Sequence, residues 1–343
     1  MAQSIPFGAR STADQVLAGI DLTRRRMVVT GCHRGTGLEM MKALAANGAH
    51  VIGLARTLED ARAACHAAGA ASTPIACDLA DFASIDAAAD SICGLPGPLD
   101  AVITTAEHAD LPVLTRRDGI EIQLIAEYIG HFALVNRLAD RVRGNGGRIV
   151  IASNDVNMNH LPTESVSLDD LDGRHVHEPL VPYGRAGSPN AIYAKELARR
   201  LAPRGVSVNA WGPPSVRGAK LNGGWAQIRA QRLFYPFARL FMKSAGQRAA
   251  TAALLAASPL VAGISGEYWS NCRITRGNPR LADEVLAKRL WDTSEQIVAA
   301  IGAADVSRAA PGCDPRRLAM HPSCVDDGEL RQAMDLCTWR VLE

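Results

Sequence analysis

The chain lacks the features that direct a protein to a membrane or to a nucleic acid. No apolar run approaches the roughly 18 residues of a membrane span, and residues 1–10 contain no signal-peptide stretch. The 37 basic and 35 acidic side chains nearly balance, without a basic tract. We therefore expect a cytoplasmic protein with a small-molecule substrate, no nucleic-acid partner and no membrane span, and we expect it to form a homo-oligomer.

Cys-x-x-Cys pairs are also missing. The eight cysteines are scattered along the chain, which favours reduced thiols over a disulfide framework or a zinc ribbon. Cys313, His321, Cys324 and Cys337 lie close in sequence, but their spacing matches no usual ligand pattern. We therefore expect no metal site.

Short apolar runs alternate with helix-length segments along most of the chain. The runs lie at residues 27–30, 50–54, 74–77, 99–104, 148–153 and 206–211. This alternation predicts an α/β fold with a doubly wound parallel sheet of the Rossmann type. We predict one domain at residues 1–302 and a C-terminal extension at 303–343.

The densest aromatic cluster of the chain lies at residues 232–243. Because it follows a strand, it should lie over the carboxyl edge of the sheet, where such folds bind ligands. We interpret residues 216–245 as a substrate lid, with a helix pair that completes the core as an equal alternative.

A glycine-rich turn follows the first strand. Residues 30–37 read T-G-C-H-R-G-T-G and open a helix, a context in which the backbone can approach a pyrophosphate at the helix N-terminus. The candidate cofactor-binding residues here are Gly31, Arg34, Gly35, Thr36 and Gly37.

The end of the second strand indicates which dinucleotide binds. Sites that prefer NAD usually carry an acid there, whereas this strand ends in Ala55-Arg56. Arg56, with Arg34 in the turn, can pair with a 2′-phosphate through bidentate hydrogen bonds. NADP is therefore the expected cofactor, and two solvated surface arginines are the alternative.

Several of these motifs resemble the short-chain dehydrogenase/reductase superfamily. The T-G-x-x-x-G-x-G turn has that family's spacing, and residues 266–270 (GEYWS) and 287–294 (AKRLWDTS) resemble its retinol-dehydrogenase-like and protochlorophyllide-reductase-like branch. The resemblance implies NADP-dependent reduction of carbonyls, alcohols or a conjugated double bond. It also implies that Asp78 and Leu79 lie beside the adenine and that Ala106 lies along the cofactor.

The residues at the family's catalytic positions differ from its pattern. By resemblance, Tyr183 is the catalytic tyrosine, but the lysine four residues later is Gly187. Asn154 stands in place of the catalytic serine, Glu127 in place of the structural asparagine, and Glu107 in place of a glycine beside the cofactor. The site has therefore lost one cation and gained up to two carboxylates.

These changes alter the acid–base chemistry that is expected at the site. Without the lysine, Tyr183 should titrate near or above its reference pKa of about 10 and remain a neutral hydroxyl. Glu127, near the vacated lysine position, is a candidate general acid or base, and a surface-facing or salt-bridged helix residue is the alternative. Asn154 either positions the substrate oxygen or caps a loop.

Pro189 predicts a break in the helix that follows. A proline in a helix interior costs about 3 kcal/mol or more, so we expect the helix to restart with Ser188 as N-cap. Tyr183 would then lie in a loop. Lys195 lies eight residues beyond Gly187, roughly 12 Å along a helix axis, and should not replace the missing lysine.

The remaining polar residues near the predicted cleft have weaker signals. We interpret His131, in the family's Gly-His-Phe position, as a packed helix histidine. Other candidates for acid–base chemistry are His160, His175 and His177, whereas Asp169, Asp170 and Asp172 are expected to be solvated.

The sequence supports three functional readings. The first is an atypical NADP-binding enzyme that acts on a hydroxylated or carbonyl, possibly aromatic, small molecule through Tyr183, Glu127 and Asn154. The second is a non-redox lyase, dehydratase or isomerase on the same fold. The third is a catalytically silent NADP-binding or scaffold protein.

Overall fold

Ten strands lie in the part of the chain that the computed structural model describes, which comprises residues 5–69, 71–106, 116–117, 120–153, 180–212, 243–275 and 282–308. In chain order they are β1 (Arg26–Thr30), β2 (His50–Ala55), β3 (Ser72–Ala76), β4 (Ala101–Ile103), β5 (Arg116–Arg117), β6 (Ile120–Glu121), β7 (Arg148–Ala152), β8 (Ser207–Trp211), β9 (Tyr268–Ser270) and β10 (Arg273–Ile274). The six strands predicted from the apolar runs are confirmed as β1–β4, β7 and β8.

Eight of these strands form one sheet, in the order β10-β9-β8-β7-β4-β1-β2-β3. Neighbouring strands from β3 across to β9 run parallel, and β10 pairs antiparallel with β9. The doubly wound parallel sheet is therefore confirmed. From β1 the chain continues to β2 and β3 on one side of β1 and then crosses to β4 on the other side of β1. At such a reversal of strand order a crevice opens beyond the carboxyl ends of the two strands, here β1 and β4.

Nine α-helices accompany the sheet in the described residues. They are α1 (Ala13–Leu17), α2 (Gly35–Ala46), α3 (Leu58–Ala68), α4 (Phe82–Cys93), α5 (Ile122–Leu124), α6 (Gly130–Ala139), α7 (Leu180–Leu201), α8 (Ala245–Ala257) and α9 (Glu284–Arg308). A π-helical turn, Ile125–Ile129, joins α5 to α6. No helix among these residues is apolar over enough of its length to cross a membrane.

The helices bury apolar residues on both faces of the sheet. One core cluster contains residues of α1, α2, α3 and α8, and the other contains residues of α4, α6, α7 and α9. Both sheet faces are thus covered, which is why the strands read as nearly continuous apolar runs.

Helix α9 packs on α6 and α7 through an aromatic cluster. Trp291 lies 5.1 Å from Phe132 and 5.7 Å from Tyr193, measured between ring centroids, and the Arg200 guanidinium lies 3.8 Å above its ring. The Tyr128 hydroxyl shares a 2.7 Å hydrogen bond with Ser294. These contacts fix the first part of α9 against α6, α7 and the π-helical turn.

Helix α7 does not break at Pro189, contrary to the prediction from the sequence. The helix is continuous from Leu180 to Leu201 with Pro189 inside it, so the predicted restart at Ser188 is wrong and Tyr183 lies in the helix rather than in a loop. A proline removes only one backbone hydrogen bond. The buried positions Ile192, Tyr193 and Leu197 anchor the following turns, so the helix accommodates the proline instead of ending.

A buried carboxylate stabilises the opposite, amino edge of the sheet. Asp100 accepts hydrogen bonds of 2.8 Å from both Arg25 and Arg143 and of 2.9 Å from the backbone N–H of Arg26. Burial raises the pKa of Asp100, but these hydrogen bonds outweigh it and hold the pKa below its usual value. The cluster is structural, because it lies at the edge away from the crevice.

Two predicted segments lie largely outside the described residues. The lid assigned to residues 216–245 falls mostly within 213–242, and the C-terminal extension falls mostly within 309–343. Helix α9 runs across the predicted boundary at residue 303. The domain bounds and the lid therefore stay predictions.

Candidate functional site

The glycine turn lies at the crevice and brings two backbone segments into close contact. Gly31 has a φ of 65°, and a Cβ at that position would lie 2.7 Å from the Cα of Ala106, in the segment after β4. A Cβ on Gly37 would overlap the carbonyl oxygen of Gly31. Only glycine fits either position, and the result is a smooth backbone cradle at the start of α2.

The start of α2 offers hydrogen-bond donors that the protein leaves open. Arg34 is the N-cap residue and makes no side-chain capping bond, so the first N–H groups of α2 lack a side-chain cap. Thr36 is only 6% exposed, and its hydroxyl has no hydrogen-bond partner among the described residues. Free helix N–H groups and an orphaned hydroxyl beside a glycine cradle fit a pyrophosphate.

The residues expected around the adenosine half lie at the same edge. Arg56 directly follows β2 and is exposed, like Arg34. Asp78 follows β3, and its carboxylate accepts a 3.0 Å hydrogen bond from the N–H of Ala80. Leu79 is buried, with its carbonyl group against Gly130 at the start of α6. Because β1, β2 and β3 are neighbours, the structure brings all of these predicted residues to one edge.

A chain of buried hydrogen bonds connects this turn to the π-helical turn. The Thr30 hydroxyl lies 3.0 Å from Nε2 of His131, and Nδ1 of His131 lies 3.1 Å from the carbonyl oxygen of Glu127. The same Thr30 oxygen accepts hydrogen bonds from the N–H groups of Thr105, at 3.0 Å, and Ala106, at 3.3 Å. His131 is thus a packed helix histidine, as its sequence context predicts.

The partners of His131 determine its tautomer. A carbonyl oxygen only accepts, so Nδ1 of His131 must carry a hydrogen and donate it to Glu127. In the neutral ring, Nε2 then accepts the hydroxyl hydrogen of Thr30, which leaves the two lone pairs of that oxygen for the N–H groups of Thr105 and Ala106. Both ring nitrogens of His131 and both lone pairs of the Thr30 hydroxyl are thus engaged, so these hydrogen bonds link the end of β1 to the π-helical turn.

Glu127 lies inside the protein, in the π-helical turn. Its side chain is 5% exposed, and Oε1 accepts a 3.2 Å hydrogen bond from Gln123. The surface-facing alternative for this residue is therefore wrong. π-Helical turns within α-helices are frequent at functional sites, and this turn carries Glu127, a predicted site residue.

Helix α7 contacts the π-helical turn close to Gly187. The Asn190 side chain donates a 2.9 Å hydrogen bond to the carbonyl oxygen of Glu127. Gly187 lies three residues earlier, about one helical turn away. Lys195 is exposed and lies beside Val206 and Ser207, at the amino end of β8. Lys195 therefore does not occupy the position that was predicted for the family's lysine.

A buried thiol lies within the turn. Burial raises the pKa of Cys32 to about 12, and the neighbouring Cys65 adds to the shift. A thiol with such a pKa stays protonated at neutral pH and is a poor nucleophile. Cys32 therefore packs the turn against α3 and does not contribute chemistry.

Several predicted site residues lie outside the described part of the chain. These are Asn154, Glu107, the side chain of Tyr183, and the polar residues His160, Asp169, Asp170, Asp172, His175 and His177. Conversely, sequence reasoning missed Thr30, Gln123 and Asn190 as parts of the site. Thr30 could have been found from the sequence, because it is a polar residue at the end of an apolar strand.

Comparisons with known proteins agree with this geometry. The family model described as short chain dehydrogenase matches residues 25–166. The WW domain-containing oxidoreductase of Pongo abelii is 31% identical over 307 residues, which cover 85% of this chain and 72% of that protein. Human retinol dehydrogenase 14 is 31% identical over 222 residues, with 64% and 65% covered.

A solved structure shows the same fold with a dinucleotide bound. A short chain dehydrogenase from Burkholderia cenocepacia J2315, determined in complex with NADP, is 25% identical to this chain and superposes with a TM-score of 0.56. The superposition covers 72% of this chain and 96% of that structure.

Proposed function

Since the chain belongs to the short-chain dehydrogenase family, we propose that it binds NADP in the crevice between β1 and β4 and acts on a small hydroxylated or carbonyl molecule through a non-standard set of side chains. The binding of NADP is supported above all by the glycine cradle at Gly31 and Gly37, together with the orphaned hydroxyl of Thr36. Family members bind nicotinamide dinucleotides, and these residues fit the pyrophosphate of one.

The preference for NADP over NAD rests on the end of β2. The strand ends at Ala55 and is followed by an exposed arginine, with a second arginine in the glycine turn. Two guanidinium groups and no acid at that strand end favour a 2′-phosphate over a free ribose hydroxyl. When bound, the cofactor would supply or accept a hydride at its nicotinamide ring.

Proton transfer is the part of the reaction that this chain's own residues would perform. We assign the transfer of a proton to or from the substrate to Tyr183 or Glu127, and we assign the orientation of the substrate oxygen to Asn154. The support for Glu127 is its burial and its contact with α7 through the Glu127 carbonyl and Asn190, one turn from Gly187. A carboxylate there can hold a proton where the family places a cation.

Cofactor binding is tested first by titrating NADPH and NADH fluorescence with the purified protein. We expect NADPH to bind at least about tenfold more tightly than NADH, about 1.4 kcal/mol, because only NADPH has a phosphate for the two arginines. Equal affinity for both would remove the assignment of NADP, and no binding of either would refute the site.

Activity is then tested with a panel of carbonyl, alcohol and aromatic compounds. We expect at least one of Glu127→Gln and Tyr183→Phe to lower kcat by about 100-fold or more, the range of a lost general acid or base, and that variant identifies the residue that transfers the proton. Tyr193→Phe is the matched control, since Tyr193 lies on the same helix and its hydroxyl bonds to Asn136. Glu196→Gln, which removes a buried carboxylate paired with Arg199 and Arg200, is the second control.

The outcome of this panel separates the competing readings. Turnover without nicotinamide oxidation or reduction would identify the non-redox reaction, and cofactor binding without turnover would identify a silent NADP-binding or scaffold protein. If both site variants retain full activity, the proposed residues are wrong. The cytoplasmic placement and the homo-oligomer stay predictions, and sedimentation of the full chain tests the latter.

A further inference from the structure

The residue that directly follows Cys32 in the glycine turn, His33, has no assigned role. His33 is half-buried, and its Nδ1 atom is shielded from solvent without a hydrogen-bond partner among the described residues. Because Nδ1 is shielded, a ligand at this half-buried ring would contact its other nitrogen, Nε2. The same edge carries the two arginines already assigned to the cofactor phosphate.

The backbone fixes His33 close to the end of β2. The N–H of Cys32 donates a 3.1 Å hydrogen bond to the carbonyl oxygen of Leu54, and Thr30 pairs with Leu54 in the sheet. His33 follows the donor by one residue, and Arg56 follows the acceptor by two. The imidazole and the Arg56 guanidinium therefore emerge from adjacent backbone at the edge where the adenosine ribose would lie.

The charged groups around the imidazole are Arg34, Asp60 and Arg56. Burial lowers the pKa of His33, Arg34 lowers it further, Asp60 opposes the shift, and Arg56 adds a smaller decrease. The Asp60 carboxylate is also engaged by Thr57, whose hydroxyl donates to it at 2.9 Å. Without ligand, the imidazole is therefore neutral at neutral pH.

We propose that His33 forms, with Arg34 and Arg56, the subsite for the 2′-phosphate of NADP, and that its imidazole takes up a proton from solvent when the phosphate binds. This inference rests on the proposed binding of NADP. Arg34, Arg56 and Asp60 together carry one net positive charge, whereas the phosphate brings nearly two negative charges. A proton on His33 balances the remaining charge and gives the phosphate a further N–H donor.

The proposal makes NADP binding depend on pH in a defined direction. Because the ligand binds the protonated imidazole better, its affinity should increase as pH falls from 8 towards 6. The 2′-phosphate itself titrates near pH 6, so the variant without the imidazole is needed to separate the two effects.

The test uses 2′,5′-ADP, which carries the 2′-phosphate but no nicotinamide, and 5′-AMP as the ligand without it. Calorimetric titrations near pH 7 in buffers of different ionisation enthalpy count the protons taken up per ligand. We expect wild type to take up at least roughly 0.3 proton more than His33→Asn with 2′,5′-ADP, and no difference with 5′-AMP. His66→Asn, at an exposed position on α3, should behave as wild type.

A direct measurement keeps the test valid if His33→Asn does not fold. The NMR titration of the His33 ring protons in wild type should move to higher pH when 2′,5′-ADP is added. Equal proton uptake in wild type and His33→Asn, or an unmoved titration, overturns the role of His33. If 2′,5′-ADP still binds more tightly than 5′-AMP in that case, the proposed NADP site stands. Absence of 2′,5′-ADP binding by wild type overturns both.

Discussion

Replacing Thr30 by valine should reveal how much stability the buried hydrogen-bond chain contributes. The Thr30 hydroxyl is bonded to His131 and accepts the N–H groups of Thr105 and Ala106. Thr30 is 1% exposed, so no water replaces the lost oxygen. Valine has nearly the same shape, and the substitution therefore removes the hydroxyl without opening a cavity.

The magnitude follows from the partners that lose their hydrogen bonds. Each buried polar group left unsatisfied costs about 1–3 kcal/mol. His131 and the N–H of Thr105 lose bonds of good length, whereas the 3.3 Å bond from Ala106 contributes less. We therefore expect Thr30→Val to lower the free energy of unfolding by roughly 2–4 kcal/mol, a large part of the roughly 5–15 kcal/mol of a typical domain.

Urea unfolding measures this change, with Thr30→Ser as the matched control. With an m value of about 3 kcal/mol per M, the midpoint should fall by about 1 M in Thr30→Val. Thr30→Ser keeps the hydroxyl and loses one methyl group, so it should lose only about 1 kcal/mol. Adding His131→Phe to Thr30→Val removes the orphaned Nε2, and the double variant should lose about 1 kcal/mol less than the sum of the single ones. Equal midpoints for the valine and serine variants, together with strict additivity, would refute the reasoning.

Three further predictions concern the cradle, the amino edge and α9. Gly37→Ala should weaken NADPH binding at least about tenfold while the circular dichroism spectrum is retained, because the new Cβ overlaps Gly31 and distorts the turn. Asp100 has a lowered pKa in the folded protein, so its stabilisation is present above its ordinary pKa of about 3.9 and is lost as pH falls through the folded value. Asp100→Asn should therefore be less stable than the wild type at pH 7, and its stability should fall less as pH is lowered. Thermal unfolding between pH 7 and 2 measures both effects. Trp291→Ala should lose about 3–5 kcal/mol of stability but leave NADPH affinity within about twofold, because its ring contacts Phe132, Tyr193 and Arg200 and none of the predicted cofactor residues. Unchanged stability would contradict its buried position.

The sequence predicted six of the eight strands of the central sheet, because most of its parallel strands are buried on both faces. Such strands read as apolar runs bounded by turns, as at Arg148–Ala152. Strands β9 and β10 were missed, because they are only three and two residues long and too short to give an apolar run. The prediction at Pro189 failed because a local rule for proline was applied to a helix that tertiary packing holds in place.

The cofactor side of the site was more predictable than its catalytic side. The backbone geometry requires glycine at positions 31 and 37, and this requirement is visible in the sequence as the spacing of the glycine-rich turn. The link from Thr30 through His131 to Glu127 joins residues about one hundred positions apart, and only the packing of α6 on the sheet brings them together. The bond from Asn190 to Glu127 depends on the crossing of two helices and has no sequence signal.

The π-helical turn changes the angular phase of the helix that carries Glu127. Each residue of an α-helix advances by about 100° around the axis, so one extra residue in the turn Ile125–Ile129 rotates the positions before it relative to those after it. Shifting this bulge by one position would change the direction in which the buried side chains of the turn point, while α5 and α6 stay in place. The direction of the side chain at position 127 therefore depends on where the bulge lies as well as on which amino acid occupies that position.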